Sequence, residues 1–161
     1  MTGGYDSTKD TLDHIHAVRM CLDLCVTDLR FRQTHHDESK LHDPEKAVFD
    51  EFTPKLRGST YGSDEYKEFL AAMKPALDHH YAHNSHHPEH FAEGVRGMSL
   101  LDVLEMLCDW KAATTRHADG DLRKSIDINQ KRFGYSDDLR SILLNTAERM
   151  GWLTAPTGGD K

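Results

Sequence analysis

The sequence predicts an all-α fold, a single-domain bundle of six or seven helices. Three observations carry that expectation. Apolar residues recur at three- and four-residue steps along most of the 161-residue chain. No segment alternates with the period of two that a half-buried strand requires. Serine, aspartate, proline and glycine stand where such apolar stretches begin and end.

The elements follow in order. Thr8 or Asp10 is placed to cap a first helix whose stripe is Leu12, Ile15, Val18, Leu22, Cys25 and Leu29 and which runs to about residue 33. Pro44 suits the first turn of a second helix carrying Val48, Phe49 and Phe52, which breaks at Pro54 or Gly58. After a loop over 57–63, a third helix over 64–83 has Tyr66, Phe69, Leu70, Met73 and Leu77 as its stripe, with Pro75 as a bend. Pro88 pushes His87 toward an extended backbone, so a turn and a short helix are expected there, then a loop at Gly94 and Gly97. Strongly apolar residues over 99–116 form the next helix, and two more cover 121–132 and 136–150. One domain is expected over 1–153, with 154–161, which holds Pro156, Gly158 and Gly159, as a disordered tail.

Composition narrows the function classes. Lys and Arg total 20 against 27 Asp and Glu, a net charge of −7 that argues against general nucleic-acid binding. No apolar run reaches the roughly 20 residues that span a bilayer, and residues 1–10 lack a signal-peptide core, so a cytoplasmic protein without a membrane partner is expected. Three cysteines, Cys21, Cys25 and Cys108, describe no disulfide framework and are expected to be buried thiols. The unusual feature is 12 histidines, six of them (His79, His80, His83, His86, His87 and His90) within twelve residues.

A helical wheel separates core-facing polar residues from solvated ones. His14 falls within the apolar arc of the first helix and His16 outside it. On the third helix His80 and Asn84 extend the stripe, whereas His79 and His83 point away. The helix over 99–116 is apolar around most of its circumference through Leu100, Leu101, Val103, Leu104, Met106, Leu107, Cys108 and Trp110, and is expected to be buried nearly all round. Asp102, Glu105 and Asp109 share its remaining arc, with Arg116 beyond them. Carboxylates in so apolar a setting need a metal or an arginine as partner.

His36-Asp37-Glu38-Ser39-Lys40 completes a pattern. With His14 before it and His80, the His86-His87 pair and Asp109 after it, the ligand order resembles that of the HD-domain superfamily of metal-dependent phosphohydrolases, over roughly residues 12–116. His36 to Lys40 is similar to that superfamily's His-Asp-x-x-Lys signature, and Asp109-Trp110-Lys111-Ala112-Ala113 to its final Asp-x-x-x-Ala stretch. The chain also resembles an uncharacterised family of short phage and bacterial proteins with a His-His-Pro-Glu-His core, here His86 to His90, and a Glu-Met-x-x-Asp-Trp helix, here Glu105 to Trp110. The Gly-Tyr-Pro motif of cyclic-dinucleotide phosphodiesterases is absent.

The resemblance implies an HD-like bundle that binds one or two divalent transition metals through His14, His36, Asp37, His80, His86 or His87, and Asp109, with Asn84, Asp102 and Glu105 supporting them. Such donors suit Fe, Mn, Co, Ni or Zn. Asp37 would bridge two ions, Lys40 would grip a phosphate oxygen, and Arg116 would do the same or anchor the acids. The expected function is hydrolysis of a small phosphorylated substrate such as a nucleotide. A di-iron oxygenase resembling inositol oxygenase and a non-catalytic regulatory module with a structural metal are the alternatives.

Overall fold

A computed structural model of the chain describes residues 5–59, 63–115 and 120–153. Among the described residues all regular structure is helical, with seven α-helices and three short 3-10 turns, as the periodicity predicts. None of these helices is long and apolar enough to cross a membrane. The chain divides into two compact units, Met1–His36 and Asp37–Lys161.

The first unit is built on one helix, α1 (Thr8–His35), which starts where Asp6 Oδ1 accepts the Thr8 backbone N–H at 3.0 Å. Its apolar stripe is present but none of its residues is buried. Leu12, Ile15, Val18 and Leu22 are all exposed, and so are His14, Cys21 and Cys25, which the sequence reading placed in a core. The reason is geometric. A stripe buries only against a second element, and the described residues of this unit hold no other helix.

The second unit opens with a 3-10 turn (Glu38–Leu41), followed by α2 (Glu45–Gly58), which continues through Pro54 to Gly58. The expected third helix is two, α3 (Asp64–Ala72) and α4 (Lys74–His83), because Pro75 in the first turn of α4 has no N–H to extend α3. Two 3-10 turns (Pro88–His90 and Gly94–Gly97) then lead to α5 (Leu100–Thr114), α6 (Leu122–Phe133) and α7 (Asp137–Arg149). Ser63, Ser99, Asp121 and Ser136 cap α3, α5, α6 and α7 with their side-chain oxygens, as helix-start residues do. Gly134 ends α6 in the left-handed conformation at φ 66°.

Two packed regions result. The 3-10 turn Glu38–Leu41, α2, α3 and α4 pack on one another, and α5, α6 and α7 enclose an apolar core of Leu107, Leu122, Ile126, Tyr135, Leu143 and Ala147. Helix α5 is not buried all round as its composition suggests. Leu100 is 81% exposed and Cys108 is exposed, and only Asp102, Met106 and Leu107 are buried. The helix meets α6 on one side, which leaves part of its apolar circumference uncovered.

Candidate metal centre

Four side chains of the second unit bring one metal-binding atom each to within 4.8 Å of one another: Asp37, His80, His86 and His87. Local structure aims them. Asp37 begins the 3-10 turn in the left-handed backbone region at φ 58°, a conformation that aspartate tolerates better than most residues and that often marks a functional position. His80 lies in the last turn of α4 and is 1% exposed. The turn closed by the His87 N–H donating to the Asn84 carbonyl at 3.2 Å presents His86, 2% exposed, and His87 together. Buried Pro88 holds His87 in the extended backbone expected before proline. Sequence left open which of His86 and His87 is a ligand; the cluster contains an atom of each.

The donor atoms face one another closely. Asp37 Oδ1 is 3.3 Å from His80 Nε2 and 3.5 Å from His86 Nε2, and the Nε2 atoms of His80 and His87 are 2.9 Å apart. The other carboxylate oxygen, Asp37 Oδ2, accepts from Lys40 Nζ at 2.6 Å. Burial pushes the Asp37 carboxyl up, but the close approach of the His80 and His86 rings and the Lys40 charge outweigh it and hold the group far below the ordinary carboxylate range. Burial, reinforced by His86 and His80, lowers His87 to about 3, so its imidazole is neutral near pH 7 and has a lone pair to offer.

Carboxylates stand behind two of the imidazoles. Glu45, the first residue of α2 and wholly buried, receives His80 Nδ1 at 3.0 Å on Oε2 and His79 Nδ1 at 2.7 Å on Oε1, and Ser39 Oγ donates to Oε2 at 3.0 Å. Burial pushes the Glu45 carboxyl up, but the bonds from His79, Ser39 and His80 prevail and hold it below its ordinary value. Glu105 Oε1 lies 3.4 Å from His86 Nδ1. Paired carboxylates on the far nitrogen are the usual way of orienting a metal-binding histidine.

The expected supporting residues divide. Asn84 belongs, since its Nδ2 donates to Ser39 Oγ at 2.9 Å and to the His80 carbonyl at 2.8 Å. Glu105 belongs through His86. Asp102 does something else: it forms a capping box with Ser99 and accepts from Ser85 Oγ at 2.6 Å, which ties the histidine-bearing loop to the start of α5. Asp109 has a carboxylate oxygen within 4.8 Å of one on Asp37. His14 and His36 lie in the first unit, His36 as its last residue, and Arg116 falls outside the described residues.

Two residues were misread or missed. His79, which the wheel turned toward solvent, is only 34% exposed because α2 packs on α4 and sets Glu45 against its flank. A wheel built on α4's own stripe registers only one packing direction. Glu45 resembled an ordinary first-turn acid after Pro44. Its spacing from Val48, Phe49 and Phe52, three, four and seven residues, puts it on the buried face of α2, and that signal was available.

A family model matches residues 3–149, and the chain belongs to that family, described as a family of unknown function (DUF5662). No curated protein and no solved structure matches the chain.

Proposed function

We propose that this chain is a metal-dependent phosphohydrolase acting on a nucleotide or another small phosphate ester. One observation carries the reading: Asp37 Oδ1 and the Nε2 atoms of His80, His86 and His87 converge at spacings of 3.3, 3.5 and 2.9 Å. An ion with bonds of about 2.0–2.1 Å sets adjacent donors about 3.0 Å apart in octahedral and about 3.4 Å apart in tetrahedral geometry. The donor set fits Fe, Mn, Co, Ni or Zn better than Ca or Mg. When bound, such an ion supplies Lewis acidity toward a phosphoryl oxygen and an attacking water.

The chain's own residues have the remaining roles. Asp37, His80, His86 and His87 hold the ion, and Glu45 and Glu105 orient two of the rings. Lys40, already donating to Asp37, has two further hydrogens for a phosphate oxygen. Asp109 supports a second ion beside Asp37. The HD-domain resemblance adds His14, His36 and Arg116 to the proposal, and a cytoplasmic location belongs to it as well. A metal site without catalysis is the second reading, favoured by the Lys40–Asp37 pair, which already engages the cation assigned to substrate.

Elemental analysis of protein purified without a tag tests the metal, and a screen of nucleoside mono-, di- and triphosphates and a chromogenic phosphodiester tests the reaction. Stoichiometric transition metal with metal-dependent turnover is expected. Bound metal without turnover decides for the second reading; no metal at any pH near neutral overturns both.

A further inference from the structure

Glu45 is the most completely buried acid among the described residues, and no part of the resemblance assigns it a role. Its surroundings can be resolved hydrogen by hydrogen. The two amide hydrogens of Asn84 go to Ser39 Oγ and to the His80 carbonyl. The Ser39 hydroxyl hydrogen goes to Glu45 Oε2. A carboxylate only accepts, so the hydrogen between His80 Nδ1 and Glu45 Oε2, 3.0 Å apart, sits on the imidazole. Asn84 Nδ2 and Ser39 Oγ also lie close to His80 Nδ1, at 3.0 and 3.1 Å, but their own hydrogens are directed elsewhere, so neither asks Nδ1 to accept. With Nδ1 protonated, the lone pair of the neutral ring is on Nε2, the atom that faces Asp37 and His87.

We propose that Glu45 is a positioning residue that fixes His80 as its Nδ1–H tautomer and points the Nε2 lone pair into the Asp37, His86 and His87 cluster. His79 and Ser39 hold the Glu45 carboxylate in turn, which explains a buried acid at the start of α2 and a histidine turned back from the surface. Phe49 lies beside His80 in a T-shaped arrangement, with ring centroids 6.1 Å apart and planes at 73°. The orientation itself is independent of metal; only its consequence for affinity rests on the metal-centre reading above.

Two measurements separate those two claims. On metal-free protein, long-range proton–nitrogen NMR of the imidazoles, assigned with His80→Gln, reads the tautomer directly. The expected spectrum has a protonated Nδ1 and an unprotonated Nε2 at His80, a pattern lost in Glu45→Leu and retained at least in part by Glu45→Gln, whose amide oxygen still accepts. Titration with Co(II) alone then reads the consequence. Affinity should fall about 10–100-fold in Glu45→Leu, with a changed visible Co(II) spectrum and partial rescue in Glu45→Gln. His79→Ala should keep the His80 tautomer. An Nε2–H tautomer in the wild type, or a tautomer and Co(II) affinity unchanged in Glu45→Leu, overturns the proposal. Should Glu45→Leu fail to fold, the wild-type and Glu45→Gln spectra decide alone. The predicted tautomer without Co(II) uptake leaves Glu45's role standing and overturns the metal centre instead.

Discussion

The second unit buries two kinds of interior, and they differ in what they ask of the chain. In the cluster that α5, α6 and α7 enclose, the described buried side chains are apolar apart from the Tyr135 hydroxyl, which donates to the Ile126 carbonyl at 2.6 Å; buried Asp102, at the start of α5, lies outside that cluster. Around α2 and α4 the buried side chains include Glu45, His80 and His86 beside Met73 and Ala76. Apolar burial stabilises by leaving water and needs no particular partner atom. Buried imidazole and carboxylate groups lose hydration and must recover it from one another, or from an ion, in a fixed geometry. The first interior needs only to leave water; the second needs its partners placed atom by atom.

The largest effect should come from the apolar interior. Leu143 is 2% exposed, so Leu143→Ala should destabilise by about 2–5 kcal/mol in urea unfolding, equally with and without metal. A loss that appeared only in the metal-loaded protein would erase the distinction between the two interiors. The polar interior should show the opposite pattern. Chelator should lower the thermal midpoint of the wild type, since ligand at a hundredfold excess over its dissociation constant contributes about 2.7 kcal/mol. His86→Ala should abolish that chelator sensitivity, which calorimetry in paired buffers would show. Chelator sensitivity surviving in His86→Ala would place the ion elsewhere.

Much of this contrast was legible in the sequence, and the part that was not has physical causes. Ser63, Ser99, Asp121 and Ser136 start helices because their side chains bond backbone hydrogens a few residues on, a local interaction that local sequence encodes. His80 stood out because it shares the stripe of its own helix. His79 did not, since what buries its flank is α2, a neighbour 34 residues away in sequence. The left-handed backbone of Asp37 has no glycine to announce it. The burial expected of His14, Cys21 and Cys25 required a partner for the α1 stripe, and a stripe predicts that a face is apolar without supplying what covers it. Asp109, Asp102 and Glu105 looked alike on one helical arc; Asp102, three residues nearer the helix start than Glu105 and seven nearer than Asp109, was drawn into a cap by Ser99.

A smaller effect tests the one polar group of the apolar interior. Burial, with the Asp127 charge adding to it, pushes the Tyr135 hydroxyl up to about 12. A group that holds its proton more tightly when folded contributes stability fully present below its unfolded value, about 10, and lost as pH rises through the folded value. Stability of the wild type should therefore fall between pH 10 and 12. Tyr135→Phe should lose about 0.5–1.5 kcal/mol at neutral pH and be less sensitive to alkali over that window. An identical alkaline limb in both proteins would assign the loss to other groups.

The smallest expected change in stability has the sharpest bearing on function. Lys40 and Asp37 form an ion pair with side chains 31% and 20% exposed, and Nζ also sits 5.2 Å from the centre of the Phe49 ring. Pairs this open to water contribute about 1 kcal/mol or less, so Lys40→Ala should unfold nearly as the wild type does. Its effect on metal follows from charge. An ammonium beside a cation site repels the ion, while its bond to Asp37 Oδ2 steadies the ligand whose Oδ1 faces the histidines. If repulsion is the larger contribution, Lys40→Ala should bind Co(II) as tightly as the wild type or a few-fold more tightly, and an active substrate should show a raised KM with a lowered kcat because a phosphate has lost a donor. Weaker Co(II) binding with unchanged KM is the contrary result. It would make Lys40 a brace for Asp37 alone and move the assignment toward a metal site without phosphate chemistry.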